Sequence, residues 1–201
     1  MTQASPPSLQ QLHTETWHRL CAAAETADDT LHYLSLSTVD HDGHPQSRLL
    51  VLRAVNSKQL TLEFHTDIRS QKWAELQAKP QLTVLGYAPE TRLQLRLKGN
   101  ATLYAPDSKL NQAAWNQLSG WTRHSYCGGP PGLELTAPDT QEILTAVPDE
   151  AETACGQSFF GVIRVKVQSL DWFQHPRGQL RRALIEYSED GSLLSARWIQ
   201  P

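Results

Sequence analysis

The chain has 201 residues and a formal net charge of −3. That length supports one well-buried core with at most a small appendage, and we expect a single domain over residues 1–201. The mildly acidic balance argues against a polyanion-binding surface, so nucleic acid is not an expected partner. No apolar run approaches the roughly 18 residues of a membrane-crossing helix, so no membrane partner is expected either.

Residues 8–27 read as a helix. Leu9, Leu12, Trp17, Leu20 and Ala24 recur at mostly helical spacing, with Ser8 placed to cap after Pro6-Pro7. The period then changes to two. His32 to Val39 reads as a strand, Asp40-His41-Asp42-Gly43 as a turn, and Gln46 to Val55 as the returning strand. Leu60 to His65 is a third strand. Asp67 or Ser70 then caps a helix that Pro80 ends. Leu82 to Tyr87 is a fourth strand. From Arg92, Leu93, Leu95 and Leu97 face one way and Arg92, Gln94, Arg96 and Lys98 the other. Gly99 marks a bulge before Ala101 to Tyr104, and a helix follows over about 107–118.

Residues 128–157 carry Gly, Pro and acids but no Lys or Arg, and read as a long acidic loop with a short helix near 140–146. Strand signals return at Phe159 to Val167, Leu170 to Phe173, Gln179 to Tyr187 and Leu193 to Ile199. Turns at His175-Pro176-Arg177-Gly178 and Glu189-Asp190-Gly191 separate the last three. Short strands with hairpin turns and few helices make a mainly β chain, a β-barrel or sandwich with peripheral helices.

Cys21, Cys127 and Cys155 are odd in number and widely spaced, so all three are expected to be reduced bystanders. The eight histidines are scattered, and His41 and His44 are explained by their turn; no metal site is expected. The first 20 residues hold no apolar h-region, which makes the cytoplasm the expected compartment.

Chemistry concentrates in two basic segments. Arg48-Leu49-Leu50-Val51-Leu52-Arg53 ends a strand, and Thr66-Asp67-Ile68-Arg69-Ser70-Gln71-Lys72 joins a strand to a helix. Cations, hydroxyls and the unpaired N–H groups of a helix start are what a phosphate needs, so a small phosphate-bearing ligand is expected. Arg48 and Arg53 stand five apart, on opposite faces of an ideal strand; both reach one ligand only if the strand bends. Gln94, which can donate and accept, suits the edge of a planar polar ring. Of Arg181 and Arg182, one must face inward and needs an anionic or polar partner. No Gly-rich phosphate loop, zinc-protease motif or nucleophile elbow is present, and no catalytic residue stands out. Any difficult chemistry would reside in a cofactor.

In order and spacing these motifs resemble the pyridoxamine 5′-phosphate oxidase-like family of FMN-binding split barrels, in its branch of less certain substrate. Arg48 to Arg53 match an Arg-x-x-x-Leu-[Lys/Arg] strand, Thr66, Ser70 and Lys72 a Thr-x-x-x-Ser-x-Lys turn, and Gln94, Arg96 and Gly99 a Gln-x-Arg-x-x-Gly strand. Trp198 and Pro201 match the family's ending. The resemblance covers roughly 30–104 well and 159–201 more loosely. It implies a homodimer with two FMN sites across the subunit interface, with Arg48, Arg53, Ser70 and Lys72 on the FMN phosphate. It also implies His65 and Thr66 against the flavin or ribityl, Gln94 at the isoalloxazine edge, and Arg182 with Trp172 or Phe173 from the other subunit. The implied reaction is oxidation of a small molecule such as a pyridoxine-phosphate-like compound, by hydride transfer to the flavin and reoxidation by dioxygen.

One departure bears on the substrate. The family's substrate-handling Arg-x-His-x-Arg run reads Gly178-Gln179-Leu180-Arg181-Arg182 here, so its first arginine and its histidine are missing. The alternatives are another flavin reductase on the same barrel, a non-catalytic flavin or haem binder, or a colourless structural dimer.

Overall fold

The structure is a computed structural model that describes residues 7–136, 146–175 and 179–201. Eight strands form one antiparallel sheet: β1 (Tyr33–Val39), β2 (Pro45–Asn56), β3 (Thr61–Asp67), β4 (Gln81–Ala88), β5 (Leu93–Tyr104), β6 (Phe160–Gln174), β7 (Arg181–Tyr187) and β8 (Leu193–Trp198). The order is β3-β2-β1-β4-β5-β6-β7-β8, and β3 also pairs with β6. That second pairing closes the first six strands into a barrel and leaves β7 and β8 as a flap on β6. Closure removes the open edges that a flat sheet would present. Of the two mainly β arrangements that the alternation allows, barrel or sandwich, the barrel with peripheral helices is what forms.

The alternation drives closure because the six barrel strands put leucines, valines and other apolar residues on one side. Leu34, Leu36, Leu52, Leu62, Phe64, Val84, Leu95, Leu97, Ile163 and Val165 are all fully buried in one core. Helix α1 (Leu9–Glu25) starts at Ser8 in a capping box with Gln11. It lays Leu12, Trp17, Leu20 and Ala23 on that core, and the buried Trp17 Nε1 donates to the Tyr187 hydroxyl at 3.1 Å. Helix α2 (Gln71–Ala78) adds Trp73 and Leu76. Helix α3 (Lys109–Asn116) is tied to the barrel wall by Asn111, whose Nδ2 donates to the carbonyls of Tyr104 and Phe160.

Three features depart from the sequence expectation. The two strand runs after 159 are one continuous strand, β6, which pairs along its length with β5. The expected loop 128–157 is in part helical, because α5 (Glu150–Gln157) opens with a capping box between Asp149 and Glu152; the helix expected near 140–146 lies outside the described residues. Finally, Cys127 and Cys155 are not reduced bystanders. The Cys127 turn follows α4 (Gly120–His124), which packs on α5, and this puts the two Cα atoms 5.4 Å apart with the sulfurs joined as a disulfide. A sequence separation of 28 gives no hint of that packing. Cys21 is free. The bulge expected at Gly99 is present as a register shift between Lys98 and Gly99. A Cβ there would lie 2.2 Å from the Lys166 carbonyl oxygen.

Candidate functional site

The first cluster forms where β2, β3 and the start of α2 meet. On β2 the even-numbered residues Gln46, Arg48, Leu50 and Leu52 take the less exposed face, so Arg48 points toward the barrel end that α2 covers. Its guanidinium donates to the Thr38 hydroxyl and, at 3.2 Å, to Glu75 Oε2. The Thr38 hydroxyl itself donates to the same carboxylate oxygen. Beside them Lys72 Nζ donates to Thr66 Oγ1 at 3.1 Å, and Thr66 Oγ1 lies 3.3 Å from Ser70 Oγ. Burial lowers the Lys72 pKa, and repulsion from Arg48 lowers it further. Two cations are therefore held close together in a poorly solvated place.

Ser70 occupies the N-cap position of α2, but its hydroxyl donates to the Asp67 carbonyl at 2.6 Å instead of capping. Asp67 does not cap either. Its carboxylate takes Arg69 in a fork, with Nη2 at 2.6 Å from Oδ2. The first-turn amides of α2 thus have no side-chain cap and carry the positive end of the helix dipole.

Arg53 and His65 lie in a neighbouring cleft. The β2–β3 register shifts between Leu52 and Ala54, so Arg53 is the extra residue of a bulge. The strand does bend there, but Arg53 emerges on the exposed side. It lines a cleft of about 340 Å³ with Glu63, His65, Arg164 and the apolar α3 residues Leu110 and Ala114. Arg53 makes no ion pair among the described residues. The His65 ring stands edge-on to Phe160 at 4.9 Å between centroids, and its Nε2 is 3.5 Å from Glu63 Oε1. Arg164 Nη2 donates to Glu63 Oε2 at 2.8 Å. Burial alone would raise the Glu63 pKa, but the close approach of the His65 ring and the hydrogen bond from Arg164 prevail and hold it low. Tyr126 packs against the same Phe160 ring that His65 meets; burial pushes its hydroxyl to about 12, and its carbonyl accepts from Arg69 Nη2 at 3.2 Å.

The second cluster sits on β5, β6 and β7. Gln94 pairs with Phe173, and Phe173 with Arg182, so the three stand in one row across adjacent strands. Arg182 forks onto Asp171, with Nε at 2.9 Å and Nη2 at 2.7 Å, and Arg96 binds the same carboxylate. The Arg182 hydrogen bond is the largest influence holding the Asp171 carboxyl low, against a burial effect that would raise it. The Gln94 amide makes no hydrogen bond among the described residues.

The structure therefore sorts the eight sequence-selected residues into three neighbourhoods. Arg48, Thr66, Ser70 and Lys72 converge; Arg53 and His65 share the cleft; Gln94 and Arg182 share the row with Phe173. The first group meets β6 where Thr66 pairs with Gly161. The last group meets it at Phe173, near the other end of the longest strand, roughly 40 Å of extended chain away.

Sequence reasoning passed over Glu75 and Asp171, the carboxylates that hold Arg48 and Arg182. The sequence shows each acid but not its partner, because Arg48 lies 27 residues from Glu75 and Arg182 11 residues from Asp171. At the exposed turn, the ligand atoms of Asp40, Asp42 and His44 lie within 4.8 Å of one another. There the Asp40 carboxylate already accepts from the Asp42 and His44 amides and from Gln46.

The donor set of the first cluster fits a phosphate ester. It offers two cations, two hydroxyls and an uncapped helix start, and the depressed Lys72 pKa is what an arriving anion would relieve.

Comparison with known proteins agrees with that chemistry. The profile described as "Pyridoxamine 5'-phosphate oxidase, FMN-binding domain" matches residues 14–105. A pyridoxine/pyridoxamine 5'-phosphate oxidase of Chromobacterium violaceum is 32% identical over 93 residues, which are 46% of this chain and 42% of that protein. Pyridoxine/pyridoxamine 5'-phosphate oxidase 2 of Arabidopsis thaliana is 30% identical over 145 residues, 68% of this chain and 73% of that protein. Several matched relatives are thus spanned for less than half of their length. Among solved structures, a pyridoxamine 5'-phosphate oxidase-related FMN-binding protein of Nostoc punctiforme superposes with a TM-score of 0.70 at 25% identity, covering 98% of this chain and 99% of that one. PhzG from Burkholderia lata, solved with tetrahydrophenazine-1-carboxylic acid, gives a TM-score of 0.70 at 20% identity, covering 98% and 95%, and bears on the fold alone. The chain belongs to the pyridoxamine 5'-phosphate oxidase-like family of FMN-binding split-barrel proteins.

Proposed function

We propose that this chain binds FMN as a homodimer and works as an FMN-dependent oxidoreductase on a small organic substrate. The observation that carries the reading is the meeting of Arg48 and Lys72 with Thr66 and Ser70 at the uncapped start of α2. Arg48, Ser70 and Lys72 would hold the phosphate, with Arg53 reaching in from its bulge. His65 and Thr66 would lie along the ribityl chain and ring, and Gln94 and Arg182 would face the ring from the partner subunit. When bound, FMN supplies the acceptor for a hydride from a substrate carbon, and dioxygen is the terminal oxidant. The protein holds the ring by its phosphate end, offers the mixed donor–acceptor edge of Gln94, and keeps the Arg182 cation fixed by Asp171.

Two features support the two-copy site. The phosphate and ring groups lie near opposite ends of β6. In addition, the outer faces of β1, β2 and β4 expose several large apolar side chains close together. Leu49 and Leu85 flank Ser35 from the two neighbouring strands and are 69% and 39% exposed, with Tyr33 and Tyr87 beside them. Such an area is what a second copy would cover. Among the described residues no helix is long and apolar enough to cross a membrane, and a cytoplasmic location is part of the proposal, as is a single domain.

An absorbance spectrum and a titration with FMN against riboflavin test the reading. Micromolar or tighter FMN binding with weaker riboflavin binding supports it, and a colourless protein that takes up neither overturns it. The replacement of the family's substrate arginine and histidine by Gly178 and Leu180 favours a substrate other than pyridoxine 5'-phosphate. Hydrogen peroxide from that compound would restore it as substrate, whereas oxidation of a nicotinamide donor would make the protein a flavin reductase.

A further inference from the structure

Glu75 is an unusual residue for the inner face of a short helix. It shares that face with Trp73 and Leu76, and its side chain is only 4% exposed. Oxygen Oε2 accepts from the Thr38 hydroxyl and from Arg48 Nη2. Oxygen Oε1 is buried and has no partner among the described residues. A carboxylate in such a place is costly unless something requires its charge. What requires it here is the pair of cations. Burial first, and the Arg48 charge after it, lower the Lys72 pKa; Glu75 is the acid bonded to Arg48 and stands one helical turn from Lys72.

The same carboxylate is badly placed once an anion arrives. A phosphate on Arg48 and Lys72 would sit beside a charge of its own sign whose second oxygen is buried and accepts from no donor among the described residues. Stability without ligand and affinity for ligand therefore pull in opposite directions at this position. We propose that Glu75 is a built-in counter-ion that holds Arg48 in the empty cradle and competes with the incoming phosphate, so that it sets both the affinity for FMN and the preference for FMN over riboflavin. This rests on the phosphate reading of the cluster.

Glu75→Gln keeps the shape and an acceptor for Arg48 and Thr38 but removes the charge. The variant should melt at a lower temperature without ligand, bind FMN about tenfold more tightly at low salt, the scale of one screened charge–charge contact, and lose most of that gain at high salt. Riboflavin, which lacks the phosphate, should bind as it does to the parent. Glu75→Met, apolar and of similar length, should show the same direction and guards against a failure of glutamine to fold. In the parent protein, the guanidinium nitrogen signals of Arg48 should shift on adding FMN and stay in place with riboflavin. An FMN-to-riboflavin ratio unchanged or lowered in the variants, or unmoved Arg48 signals, overturns the role given to Glu75. A parent protein with no preference for FMN over riboflavin overturns the phosphate reading itself.

Discussion

Single residues at this site act through charges that are only partly solvated, which is why so few of them matter. Lys72 has one hydroxyl partner, is partly buried and carries a pKa lowered by burial and by Arg48. Lys72→Ala should weaken FMN binding by about 1.5–3 kcal/mol, the range for hydrogen bonds to charged groups, and leave riboflavin binding within error. A fluorescence-quenching titration of both flavins reads the result. Asp171 behaves differently, because its partners Arg96 and Arg182 belong to the protein. Its carboxyl is held below the ordinary value of 3.8, first by the Arg182 hydrogen bond. A depressed acid stabilises the fold above its unfolded pKa and loses that contribution as pH falls through its folded value. Thermal melts should therefore show the parent losing stability below about pH 4 more steeply than Asp171→Asn. The variant should be less stable at neutral pH, by about 1–3 kcal/mol.

At the scale of elements, the described molecule is a rigid barrel with a less regular attachment. Between α3 and β6 the described residues include the short helices α4 and α5, and the Cys127–Cys155 bond joins the segments that carry them. Tyr126, next to Cys127, packs its ring against Phe160 at 5.2 Å and against Trp115 at 6.0 Å. The bond closes a separation of 28 residues, for which loop-closure entropy gives an upper figure of about 3–4 kcal/mol. Cys155→Ser should cost up to that amount in a urea melt, and a dithiol reductant should bring the parent to the same midpoint. A reductant without effect would show that the two thiols are apart in solution. Elements were legible in proportion to their regularity. Leu93 to Lys98 announce β5 by strict alternation, and Ser8 ahead of the helically spaced Leu9, Leu12, Trp17 and Leu20 announces α1. Helix α5 was hidden in an acidic stretch, because its capping box precedes a run too short to show a period.

For the whole molecule the open surface is the outer wall of β1, β2 and β4. Leu85 stands centrally on it, paired across from Ser35 and near Leu49. Leu85→Glu faces outward, so the fold should survive while self-association weakens. Sedimentation should show a shift from dimer to monomer, and FMN retention should fall with it, because the phosphate and ring groups would no longer meet. A Leu85→Glu protein that stays dimeric would move the interface elsewhere.

What the amino-acid order determined by itself was local: the strand alternation, the turn residues, the hydroxyls and cations of the two basic segments, and with them a mainly β chain, barrel or sandwich, and the expectation of a phosphate-bearing ligand. Those properties depend on spacings of two to seven residues, which the chain displays directly. Tertiary structure decided which of the selected residues meet. The closing pair β3–β6 brings Thr66 to Gly161 and leaves Phe173 at the far end of the same strand. The bulge sends Arg53 into the cleft instead of alongside Arg48. Glu75, Asp171 and the paired cysteines became visible only there, because a counter-ion or a sulfur partner is chosen by distance in space, and barrel closure makes that distance independent of separation along the chain.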